Sequence, residues 1–138
     1  MKLSTHLTIS AIISGGLYAL FRSIPLSVAS FLSGFLIDLD HCLDYVREYG
    51  WDFNIKKFFE TFKEPAYKKI VIIFHGWEIV ILLFLISWFS RWNPWILGVT
   101  AGVFQHLLLD QIFNIHSRYG YFLVWRMTRW FDIRQFLG

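Results

Sequence analysis

The chain has 138 residues, a formal net charge of +3, 56% hydrophobic residues, 20% aromatic residues and only 17% charged residues. A soluble domain carries about 25% charged residues, and a chain this short cannot bury so much apolar surface against itself, so lipid must cover the remainder. The basic residues form no dense run, which argues against a nucleic-acid partner, and the single cysteine, Cys42, excludes an intrachain disulfide framework.

The pattern predicts one all-α domain: a polytopic membrane bundle of about four short transmembrane helices, with interfacial amphipathic helices beside it. The first span is expected at 5–21, with Ser4 or Thr5 as its N-cap. Its apolar run could pass for a signal peptide, but Gly15 and Gly16 interrupt it and a second run follows at once, so it reads as a retained helix. The second span is expected at 25–40, with Pro25 suited to a first helical turn. Both are short against the ~20 residues that cross a bilayer core. The tight turn Arg22-Ser23-Ile24 predicts an antiparallel hairpin.

From 43 to 69 the chain turns polar, and about 52–64 has helical periodicity, with Phe58, Phe59 and Phe62 on one face and lysines on the other. This predicts an amphipathic helix in the membrane interface. The third and fourth spans are expected at 70–89 and 94–115, joined by Arg91-Trp92-Asn93, with Trp88, Trp92 and Trp95 marking a membrane–water boundary. The tail, about 118–136, is too basic for a fifth span and reads as a second interfacial segment. Only Arg22 and Arg91 fall on the side of the short turns, so the positive-inside rule places both termini and the middle segment in the cytoplasm, as expected of a cell (inner) membrane protein.

Ionisable groups at membrane depth are costly and default to function. Here they are His6, Asp38, Asp40, His41, His75, Glu78, His106 and Asp110, and with antiparallel spans all fall in the cytoplasmic half. His75 with Glu78, Asp38 with His41, and His106 with Asp110 are three or four apart, on one helix face each. Imidazole with carboxylate suits zinc, manganese or iron better than calcium or magnesium. The set predicts a site for one or two divalent ions held by Asp38, Asp40, His41, His75, His106 and Asp110. Asp40, His6 and Glu78 are candidates for catalytic proton transfer, with Glu78 as base or extra ligand and His6 as peripheral ligand or shuttle.

An early His6, then Asp38-x-Asp40-His41, then His75 opening a span, then His106-x-x-x-Asp110 resembles the YdjM-type membrane-bound metal-dependent hydrolases, a domain of unknown function similar in motif order to zinc-dependent phospholipase C-like proteins. Gly120 to Trp125 resembles that family's closing stretch. The family's His-Arg pair before the third motif is replaced by Tyr67-Lys68-Lys69, and Glu78 stands where no ligand is expected. The resemblance implies a metal-dependent hydrolase, zinc foremost. A site at headgroup level implies a lipid phosphate ester as substrate, with Lys68, Lys69 and Arg118 attracting its phosphate. The alternatives are a metal-stapled assembly factor without turnover and a metal transport or sensing protein.

Overall fold

The computed structural model describes residues 3–51, 58, 69, 71–114 and 119–134. Its described helices are α1 (Leu3–Phe21), α2 (Ile24–Leu36), α3 (Asp40–Tyr49), α4 (Trp77–Phe89), α5 (Pro94–Phe113) and the short α6 (Leu123–Thr128). A 3-10 turn, Ile37–Leu39, joins α2 to α3. The fold is an all-α bundle, and the described residues pair in β fashion only at an isolated Lys69–Asp132 bridge.

Among the described residues, three helical runs are long and apolar enough to cross a membrane: Ser4–Phe21, Ile24–Tyr49 and Pro94–Phe113. The chain is therefore a membrane protein. Large apolar side chains lie open on the outer faces, among them Ile12, Leu20, Phe84, Trp88 and Phe89, where lipid would cover them.

The short turns form as their residues dictate. Ser23 caps α2 by accepting from the Leu26 amide at 3.4 Å, with Pro25 in the first turn. Asn93 caps α5 by accepting from the Trp95 amide at 3.0 Å, with Pro94 behind it. The first helix has already begun at Leu3, so neither Ser4 nor Thr5 is its cap.

Two spans differ from expectation. The second does not end at Asp40 but continues through the 3-10 turn to Tyr49, a run of 26 residues. The third keeps only 13 residues of helix, because α4 begins at Trp77. That is about 20 Å of helix, short of a ~30 Å hydrocarbon core. The apolar run Val71 to Phe74 is not helical at all. Composition could not separate it from helix; Gly76, in extended conformation just ahead of α4, marks the true boundary.

Helices α2 and α5 meet through small residues. A Cβ on Gly98 would fall 2.7 Å from the Ala29 Cβ, and one on Gly102 would fall 2.8 Å from the Gly34 amide nitrogen. Close backbone approach of this kind is how helices associate where no hydrophobic effect draws them together. Gln105 adds α1 by donating to the Ser10 hydroxyl at 2.7 Å. The Ser87–Thr100 hydroxyl pair, 2.9 Å apart, ties α4 to α5.

Within the expected amphipathic segment only Phe58 lies among the described residues. It is buried and set edge-on to Tyr45, ring centroids 5.5 Å apart, so it packs on protein and not on lipid. The rest of that segment lies outside the described residues, as do Lys68 and Arg118.

Candidate metal centre

The site forms at the end of the bundle opposite the two short turns. His6 sits near the start of α1, Asp38 in the 3-10 turn, Asp40 and His41 in the first turn of α3, and His106 and Asp110 in the second half of α5. His75 stands in the non-helical segment ahead of α4. Six of these residues could hold a metal ion in two groups: His6 with His106 and Asp110, and Asp38 with His41 and His75.

The first group is the inner one, with all three residues buried. His6 Nε2 lies 3.1 Å from Asp110 Oδ1, and His106 Nε2 lies 3.5 Å from Asp110 Oδ2. The His6 and His106 rings stack, with centroids 4.0 Å apart. The second group is the outer one, in which Asp38 and His41 are partly exposed and His75 is buried. The groups touch through Asp38 Oδ1, which is 3.3 Å from His106 Nε2 and 3.6 Å from His75 Nε2.

These separations are informative. Two imidazole nitrogens converge on one carboxylate oxygen at distances too long for good hydrogen bonds. Both nitrogens are buried and have no hydrogen-bond partner among the described residues. Leaving such a group unsatisfied costs ~1–3 kcal/mol. Meanwhile the opposite ring nitrogens are engaged. His106 Nδ1 donates to the Gly34 carbonyl at 2.9 Å, and His75 Nδ1 lies 3.4 Å from Asp40 Oδ2. A proton held on Nδ1 leaves the Nε2 lone pair free, which is the second-shell arrangement of metal-bound histidines. The residues present fit a divalent metal.

Asp40 therefore stands behind His75. Its Oδ2 also accepts from the Phe74 amide at 2.7 Å, while its Oδ1 has no partner among the described residues. The structure commits Glu78 elsewhere: its oxygens accept from the Leu123 and Val124 amides at 2.8 and 3.0 Å, capping α6. Glu78 joins neither group, and the expected helical pairing with His75 fails because His75 precedes the helix. Lys69 lies at the surface beside Asp132.

Three residues that the sequence did not single out build the surroundings. Asp44 is buried and accepts from the Val71 amide at 2.9 Å and the Ile72 amide at 3.3 Å. Its signal was its place one helical turn after Asp40. Arg126, read as one more base in an interfacial tail, is 1% exposed. Burial pushes its guanidinium below the ordinary value, against the pull of Asp40, Glu78 and Asp44. Gln105 had no signal beyond being an amide inside a span. The Gly98-x-x-x-Gly102 spacing, by contrast, is a known helix-association pattern and was legible.

No family model, no curated protein and no solved structure matches the chain.

Proposed function

We propose that the chain is a membrane-bound metal-dependent hydrolase of the YdjM-like kind, cleaving a phosphate ester of a lipid at the cytoplasmic headgroup level. The observation that carries this reading is the convergence of the His75 and His106 Nε2 atoms on Asp38 Oδ1, with their Nδ1 atoms braced from behind. Zinc, or else manganese or iron, as one or two ions, would be held by Asp38, His41, His75, His106, Asp110 and His6. When bound, such an ion polarises a phosphoryl oxygen and lowers the pKa of water toward neutrality.

The chain's own residues would supply the rest. Asp40 and the Gly34 carbonyl fix the ring orientation of His75 and His106. The partly exposed edge at Asp38 and His41 is where substrate would arrive. With Glu78 engaged by α6, Asp40 is the carboxylate left for proton transfer, through its Oδ1, which has no partner among the described residues. Lys68, Lys69 and Arg118 would draw the phosphate toward that edge. Phosphate or headgroup release from lipid vesicles by the purified, metal-loaded protein tests the reading. His106→Ala and Asp40→Ala should abolish release, and activity that survives both overturns it.

One observation favours a second reading, a metal-stapled assembly factor. The six ligands come from α1, the 3-10 turn with α3, the segment before α4, and α5, so an ion would cross-link the whole bundle and its binding energy would be folding energy. Chelation that unfolds the protein, with no turnover on any lipid, would select this reading.

A further inference from the structure

The segment before α4 has no helix or strand to satisfy its backbone, yet it carries a buried ligand. Its polar groups are sorted by side. The amides of Val71, Ile72 and Phe74 point at the carboxylates of Asp44 and Asp40. The carbonyls of Val71, Ile72 and His75 point at one guanidinium, that of Arg126: Nη1 donates to Val71 and Ile72 at 3.0 Å each, and Nη2 donates to His75 at 2.9 Å. Irregular backbone among apolar surroundings persists only where every such group finds a partner.

Arg126 is itself held in register. Glu78 accepts from the Leu123 and Val124 amides, and the Trp77 amide donates to the Tyr121 carbonyl at 2.9 Å. Gly76 lets α6 approach, since a Cβ there would fall 3.2 Å from the Leu123 Cβ. The first turn of α4 thus grips the start of α6, and α6 returns Arg126 to the carbonyl of His75.

We infer that Arg126 is a positioning residue of the metal centre: it fixes the backbone of His75 so that Nε2 meets Asp38, and it makes segment 119–134 part of the site. This rests on the metal-binding reading above. The five donors of arginine lie in a rigid fork, which lysine cannot reproduce.

Titration of the purified, metal-stripped full chain with Co²⁺, followed by absorbance and by metal per chain, tests it. Arg126→Met should weaken binding roughly 10- to 100-fold, as loss of an outer-shell partner does, and Arg126→Lys should fall between it and the wild type. If Arg126 acts through His75, the double variant His75→Ala, Arg126→Met should bind within about twofold of His75→Ala alone, the limit set by independent sites being additivity. Hydrogen exchange gives a readout free of metal: in Arg126→Lys the Phe74 and His75 amides should exchange faster while those of α5 keep their protection. Co²⁺ affinity of Arg126→Met unchanged from wild type, additive losses in the double variant, or equal loosening of α5 each overturn the inference. If Arg126→Met does not fold, Arg126→Lys with the exchange readout decides alone. A wild-type chain that takes up no Co²⁺, zinc, manganese or iron overturns the metal reading itself, and this one with it; tight wild-type binding with indifferent Arg126 variants overturns this one only.

Discussion

The inner and outer halves of the candidate metal centre are built in opposite ways. His6, His106 and Asp110 sit on two regular helices, all are buried, a glutamine joins those helices, and small residues pack both against α2. Asp38, His41 and His75 sit on a 3-10 turn, the start of a helix and a non-helical segment, and the first two are partly exposed. A regular helix satisfies its own backbone, so packing alone can aim its ligands. Irregular backbone needs a partner for each amide and carbonyl, and Asp40, Asp44 and Arg126 provide them. The outer half gains an open edge at Asp38 and His41 and depends on polar braces in return.

The largest disruption of this contrast should come from His106→Ala. His106 belongs to the inner group, but its Nε2 is also 3.3 Å from Asp38 of the outer one. Metal affinity should fall for both halves, by more than the roughly 10- to 100-fold that second-shell changes cost, and metal content with it. Elemental analysis of the purified variant checks this. Retention of a full complement would mean that the halves bind independently of their shared contact.

A smaller change separates the halves. Asp44→Ala leaves the Val71 and Ile72 amides without acceptors, at a cost of ~1–3 kcal/mol for an unmet buried group. The loss should be local. Amide exchange in 71–76 should rise and metal binding at Asp38, His41 and His75 should weaken, while the stacked His6–His106 pair keeps its ligand geometry. Equal weakening of both halves would show that the segment before α4 supports the whole bundle and not one side of it.

The same contrast governs what the sequence made legible. The helix-borne ligands announced themselves, because His106 and Asp110 are one turn apart and the spans around them were bounded by Ser23, Pro25, Asn93 and Pro94. Of the eight ionisable residues singled out, seven gather at one end, with Glu78 turned to α6, while Asp44, buried in the same helical run as Asp40, is not among them. The irregular half was misread. Val71-Ile72-Ile73-Phe74 is apolar throughout, and an apolar run says nothing about whether its amides bond to themselves or to distant carboxylates. The partners of that run, Asp44 and Arg126, lie 27 and 55 residues from Val71. Local spacing cannot report a contact of that reach, and hydropathy counted both as ordinary surface charge. The likeness to YdjM-type hydrolases rests on motif order alone.

The smallest effect tests whether α4 itself aims His75. Ser87 and Thr100 form the hydroxyl pair between α4 and α5, 2.9 Å apart and buried. The Thr100 hydroxyl also donates to the Ile96 carbonyl at 2.8 Å, so in this pair Ser87 is the donor and Thr100 the acceptor. Ser87→Ala removes one hydrogen bond and leaves Thr100 bonded within its own helix. Such bonds between membrane helices average ~0.6 kcal/mol, so the unfolding free energy in detergent should fall by about that much. Ser87 is ten residues past the start of α4, at the end near the short turn, whereas the braces on His75 lie at the other end. Metal affinity should therefore stay at the wild-type value. A marked loss of affinity in Ser87→Ala would reverse the account of the outer half: the register of α4 against α5, and not the polar braces on its irregular approach, would then be what places His75.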